Sequence, residues 1–149
     1  MVLQNYLQKA AYLNMLLIKR GLQRISKSNT AVVVTLKSDD GSENIELQVN
    51  DILFLKSAQN YVEVHYIIGQ ETKQVLLRNT LKAILGDLER FEAFMLCHRS
   101  YIVNLQQVIT INGNSRGYTV LLKNCYTVIP VSRHKTEEFD AAISGLGAK

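Results

Sequence analysis

His98-Arg99, Arg133 behind Pro130-Val131-Ser132, and Gln59-Asn60-Tyr61 are the residues of this chain whose types and spacing could do chemistry. That chemistry is recognition. A guanidinium is a flat fork of donors that fits a phosphate, or guanine O6 and N7 in a major groove. Asn and Gln amides fit adenine N6 and N7. Arg133 stands just inside the expected start of the last helix, where free N–H groups and the helix dipole favour a phosphate. Cys97 and His98 could be read as nucleophile and base. Neighbours on a strand point to opposite faces, however, and no carboxylate lies nearby in sequence to orient the ring, so an enzyme is not expected.

Charge points the same way. Residues 93–136 hold five cations (Arg99, Arg116, Lys123, Arg133 and Lys135) and no acid, whereas residues 39–92 hold five cations and ten acids. A long segment that admits cations and excludes carboxylates suits a polyanion, and nucleic acid is the commonest large one in a cell. Solvated hairpins carry such charges too, so charge alone does not decide. Arg116 and Lys135 join the candidates as expected phosphate contacts.

At 149 residues, 47% of them hydrophobic and one of them Pro, the chain has enough for one real domain with some length left over. Two cysteines make no disulfide framework, and a reduced, cytoplasmic chain is expected. Cys97 reads as a buried small hydrophobe or, less simply, as a redox-sensitive thiol. The histidines and cysteines lack ligand spacing, so neither a metal nor a cofactor is expected.

These groups must be positioned by mostly extended elements. Residues 1–25 form the exception. Leu3, Tyr6, Ala10, Leu13 and Leu17 recur at three and four, which predicts a helix with one apolar seam. Its apolar run is too short to span a bilayer. The seam fits packing on its own domain, a dimerising or relaying helix, or a membrane-surface helix carrying Lys9, Lys19, Arg20 and Arg24. Ser26 to Thr30 is a polar break. Beyond it, alternation predicts strands over 31–37, 45–49, 52–56, 61–67 and 74–78. Asp39-Asp40-Gly41-Ser42 and 69–72 read as turns, and 57–60 as a polar loop. His65 alternates with Val64 and Tyr66 and reads as a surface residue. Asn79 or Thr80 can cap a short helix, 81–85, ended by Gly86. Further strands follow near 94–98, 101–103, 108–111, 118–122 and 126–129, with a hairpin turn over 112–117 and Pro130 as a stop. Ser132 can cap a final helix reaching Ile143. The expected fold is mainly β and antiparallel, with one short internal helix, a C-terminal helix and an N-terminal helix before it.

Four blocks then become recognisable: Ile52-Leu-Phe-Leu-Lys-Ser-Ala-Gln-Asn-Tyr-Val-Glu-Val, Leu77-Arg-Asn-Thr-Leu-Lys, Phe94-Met-Leu-Cys-His-Arg-Ser-Tyr-Ile-Val-Asn104 and Ile129-Pro-Val-Ser-Arg133. In order and spacing they resemble the LytTR family of bacterial DNA-binding domains, over residues 31–143. The resemblance implies several small antiparallel sheets and sequence-specific binding to double-stranded promoter DNA, with loops entering successive major grooves. It assigns DNA contacts to Asn60 and Tyr61, to Arg99 beside His98, and to Arg133. The expected division is a helix and linker over 1–30 and the DNA-binding domain over 31–149. Family members often carry a phosphorylatable receiver domain upstream; only about 30 residues precede the resemblance here, too few to hold one. A homodimer, or tandem binding on repeated sites, stays open. So does a second class of function, a β-rich interaction module that pairs with or antagonises a DNA-binding relative through its N-terminal helix.

Overall fold

A continuous apolar run at 52–55 and alternation at 61–64 draw these segments into adjacent strands, because a pleated backbone puts alternate side chains on one face. The computed structural model describes residues 11–18 and 32–147. It separates the chain into two units, Thr30–Asn104 and a second that joins the N-terminal segment to Leu105–Lys149. Residues 11–18 are helical (α1) and belong to the second unit.

The unit Thr30–Asn104 begins with β1 (Val33–Lys37) and β2 (Asn44–Gln48), a two-stranded antiparallel sheet. Asp40 organises the turn between them. Its Oδ1 accepts from the Ser42 N–H at 2.9 Å and from the Ser42 and Ser38 hydroxyls at 2.7 and 2.9 Å. Those bonds, the Ser42 N–H first, hold its carboxyl down to about 2. One larger sheet follows, made of β3 (Ile52–Ala58), β4 (Tyr61–Ile68), β5 (Glu71–Arg78), β6 (Phe94–His98) and β7 (Tyr101–Asn104). Its order is β5-β4-β3-β7-β6, antiparallel throughout. Helix α2 (Leu81–Leu88) starts at Thr80, whose hydroxyl accepts from the Ala83 N–H at 3.1 Å. Its Leu81, Ile84 and Leu88 share one core with Val34, Leu36 and Leu47 of the small sheet and Leu55, Val62, Val64, Leu77 and Ile102 of the large one. Each such side chain stabilises by roughly 1.5–3 kcal/mol, so this shared layer is what holds the large sheet in place. Asn104, fully buried, donates to the carbonyls of Val49 and Ile52 at 3.2 and 2.8 Å and pins the entry to β3.

The other unit is a three-stranded antiparallel sheet of β8 (Val108–Asn114), β9 (Gly117–Leu122) and β10 (Ile129–Val131), in the order β10-β9-β8. A 3-10 turn, Arg133–Lys135, leads into α3 (Thr136–Gly147). Phe139 and Ile143 of α3 are buried, and the Tyr118 hydroxyl donates to Asp140 Oδ1 at 2.8 Å. On α1, Leu13 and Leu17 are buried. Asn14, which interrupts the apolar run, donates to the Ile111 carbonyl at 3.2 Å and accepts its N–H at 3.1 Å. It thereby gives edge strand β8 the partner that a neighbouring strand would supply. Leu3, Tyr6 and Ala10 of the expected seam lie outside the described residues.

Several boundaries differ from expectation for physical reasons. The strand pairing of β3 continues through Ser57 and Ala58, which leaves a turn of two residues. Helix α2 runs past Gly86, because burying Leu88 outweighs the roughly 1 kcal/mol that an interior glycine costs. The last strand starts at Ile129, not Tyr126, whose side chain is fully exposed. Pro130 sits inside that strand, which an edge position tolerates. Ser132 makes no side-chain capping bond, and the final helix extends to Gly147. His65 is half-buried, stacked on Phe54 at 4.1 Å with Nε2 2.9 Å from Glu63 Oε1. No described helix is long and apolar enough to cross a membrane.

Candidate nucleic-acid interface

Strand register decides which of the candidate residues meet. In the five-stranded sheet, β3 and β4 are joined by Gln59 and Asn60 alone, with Gln59 at φ 58. The Asn60 carbonyl accepts from the Asn79 N–H at 3.1 Å, which ties this turn to the end of β5. Tyr61 opens β4, exposed, directly opposite Arg78. Strands β6 and β7 are joined by Arg99 and Ser100, between the paired His98 and Tyr101. The Ser100 carbonyl accepts from the Ser57 N–H at 3.0 Å, so the pairing of β3 with β7 extends up to the turn. Asn60, Tyr61, His98 and Arg99 are thus brought to one end of one sheet. Their two turns stand two strand spacings apart, about 10 Å.

At that end Arg99 and Asn60 are exposed and His98 is half-buried. The His98 Nδ1 accepts from the Ser100 N–H at 3.1 Å, and its ring meets Tyr101 edge-on at 5.7 Å. Lys56 holds its ammonium 5.8 Å from the centre of the same Tyr101 ring. Cys97 is fully buried, with Sγ 3.7 Å from the Tyr101 carbonyl oxygen. The His98 ring and the Cys97 thiol thus bond different backbone groups, the Ser100 N–H and the Tyr101 carbonyl. Sequence reading overlooked Arg78 and Lys56. Arg78 is exposed beside Tyr61, 3.8 Å from Asp39 across a loose surface pair. Hairpin arithmetic could have found it: Tyr61 and Arg78 are equally far from the Gly69-Gln70 turn.

The second unit gathers the other three candidates. Arg116 is exposed in the two-residue turn between β8 and β9, and its N–H is accepted by Asn114 Oδ1 at 2.9 Å. Gly117 follows at φ +140, and a Cβ there would lie 2.9 Å from the Val131 carbonyl oxygen, so only glycine lets β9 start so close to β10. Since Val131 pairs with Tyr118, the chain leaves β10 beside the Arg116 turn, carrying exposed Arg133. The Arg133 carbonyl accepts from the Thr136 hydroxyl at 3.2 Å. Lys135 is half-buried, with Nζ 3.4 Å from Glu138 Oε2. Among the described residues no carboxylate pairs with Arg99, Arg116 or Arg133. Three guanidinium groups therefore face solvent unneutralised, which is the electrostatic state a phosphate-lined ligand requires.

The family model of the LytTr DNA-binding domain matches residues 42–144, a span that contains every candidate above. The chain is 33% identical over 84 residues to an uncharacterized response regulatory protein of Vibrio cholerae, covering 56% of this chain and 32% of that protein. It is 30% identical over 112 residues to accessory gene regulator protein A of Staphylococcus aureus, covering 72% of this chain and 43% of the relative. The chain thus spans less than half the length of these curated relatives. A solved LytTr DNA-binding domain, from a methyl-accepting/DNA response regulator of Bacillus cereus, aligns with a TM-score of 0.54 at 23% identity. That alignment covers 77% of this chain and 98% of the solved one, and it supports the same mainly β fold of small antiparallel sheets. The extent of the family match and these relatives place the chain in the LytTR family of DNA-binding domains.

Proposed function

We propose that this chain binds double-stranded promoter DNA sequence-specifically, in the bacterial cytoplasm, and regulates transcription through loops set into major grooves. Residues 31–149 act as the DNA-binding domain and 1–30 as a helix and linker. One observation carries the reading: two short turns, bearing Asn60 and Arg99, project from one end of a hydrogen-bonded sheet. Their separation of about 10 Å is close to the roughly 12 Å width of a major groove. One turn can enter a groove while the other meets the phosphates at its border, with Arg78 and Lys56 adding charge behind them. Arg133 takes a further groove, and Arg116 and Lys135 serve as phosphate contacts. Paired copies on a repeated site fit the same contacts.

The test is a fluorescence-anisotropy titration with duplexes selected from a random pool. The expected result is clear preference for the selected sequence and a steep loss of affinity as salt rises. Negligible binding at low salt would overturn the reading. It would favour an interaction module instead, for which α1 offers Tyr12, Met15 and Ile18, exposed by 50%, 58% and 68%.

A further inference from the structure

We propose that His98 serves DNA binding as a positioning residue, a neutral ring whose Nδ1 fixes the β6–β7 turn and so aims Arg99. This rests on the DNA-binding reading above. The warrant is the way the turn is made. Two-residue hairpins are normally closed by backbone with positive φ at the first or at both turn positions. The β3–β4 turn meets that need with Gln59 at φ 58. Neither Arg99 nor Ser100 has a positive φ. The β6–β7 turn therefore lacks the usual backbone device, and a register shift between Leu96 and His98 interrupts the ladder just before it. Within the hairpin itself the turn is closed by the His98 Nδ1, accepting from the N–H two residues on at 3.1 Å, while from β3 the Ser57 N–H donates to the Ser100 carbonyl at 3.0 Å.

Among the described residues the same device recurs with ordinary side chains at two other turns. Asp40 accepts from the Ser42 N–H at 2.9 Å, and Asn114 accepts from the Arg116 N–H at 2.9 Å. Each time a side chain at the first turn position takes the N–H two residues later, as Asx turns do. His98 occupies the place of the Asp or Asn. An N–H donated to Nδ1 needs that nitrogen's lone pair, which the tautomer with its ring hydrogen on Nε2 offers. Packing fixes the ring in that pose, because it meets Tyr101 edge-on at 5.7 Å. His98 thus acts through its acceptor, not as a further cation beside Arg99.

Substitutions separate the two roles. His98→Asn keeps an acceptor and has no charge; His98→Lys has a charge and no acceptor; His98→Ala has neither. On the selected duplex, His98→Ala and His98→Lys should bind roughly three- to tenfold more weakly than wild type, the worth of one such hydrogen bond. His98→Asn should recover most of that loss. In an Arg99→Ala background, His98→Ala should add almost nothing, because its effect passes through Arg99. In the free protein, the Ser100 amide should exchange slowly in wild type and in His98→Asn, and quickly in His98→Ala. Binding by His98→Lys equal to wild type, with His98→Asn as weak as His98→Ala, would overturn the proposal, as would losses that simply add to that of Arg99→Ala. A wild-type chain that bound no duplex would instead overturn the DNA-binding reading, and the Ser100 amide would still decide whether His98 sets the turn.

Discussion

Arg99 and Arg133 are exposed at points where the backbone is held. Ser57 and His98 bond the turn that carries Arg99, and Thr136 bonds the carbonyl of Arg133. A long side chain on a fixed base loses less freedom on contact, which favours base reading over loose phosphate contact. Arg99→Ala and Arg133→Ala should each cost about 1–3 kcal/mol on the preferred duplex and much less on a scrambled one. Equal losses on both, measured by anisotropy, would make them phosphate contacts. Gln59 presents the opposite economy. At φ 58 it holds a left-handed backbone that costs a non-glycine residue about 1–2 kcal/mol. Gln59→Gly should stabilise the fold by up to about 1 kcal/mol, and Gln59→Val should destabilise it, since a β-branched residue fits that region worst. Denaturant midpoints would show the order; a less stable glycine variant would mean that the Gln59 side chain holds the turn by contacts that outweigh the strain.

Helix α2 shows how far periodicity reaches and where it stops. A cap at Asn79 or Thr80 was legible because a polar side chain before an apolar run has a defined partner, and the structure gives the role to Thr80, which accepts from the Ala83 N–H. The end of the helix was not legible, because Gly86 is a stop by propensity and Leu88 overrules it by burial. A Cβ on Gly86 would meet nothing within 4 Å. Gly86→Ala should therefore raise stability by about 0.5–1 kcal/mol, visible as a higher midpoint of thermal unfolding. An unchanged or lower midpoint would mean that the helix does not run unbroken to Leu88. The strands divide in the same way. Strand β4 matches its expected limits to within a residue, whereas β5 and β8 each run three residues past one of theirs, where the side chains are mostly exposed and alternation fades. Strand β10 was displaced by three, because Tyr126 and Val128 look apolar yet lie exposed. The candidate contacts were legible as residue types at element ends. Their grouping was not, because Arg78 beside Tyr61, or Arg116 beside the exit to Arg133, depends on register and strand order.

Charge is distributed unequally between the two units. Thr30–Asn104 carries seven cations and ten acids, a net −3, whereas Met1–Asn29 with Leu105–Lys149 carries ten cations and three acids, a net +7. The turns bearing Asn60 and Arg99 thus belong to an acidic unit, which a phosphate backbone would repel as a whole. On the proposed function, their contribution is short-range contact that survives screening, and the long-range pull belongs to the basic residues elsewhere in the chain. The two kinds of contact answer differently to salt, because each neutralised phosphate releases condensed counterions. Arg116→Ala removes an exposed guanidinium from the basic part of the chain without touching the turn that Asn114 holds by its own side chain. It should weaken binding to every duplex by a similar factor and flatten the plot of log affinity against log salt by about one unit of slope. Lys135→Ala should flatten it less, since Glu138 stands 3.4 Å from that ammonium and already offsets part of its charge. Titrations of wild type and both variants over a series of salt concentrations decide the matter. A wild-type slope left unchanged by Arg116→Ala would remove Arg116 from the interface, and a slope lost more steeply in Lys135→Ala would mean that Lys135 leaves Glu138 for the DNA.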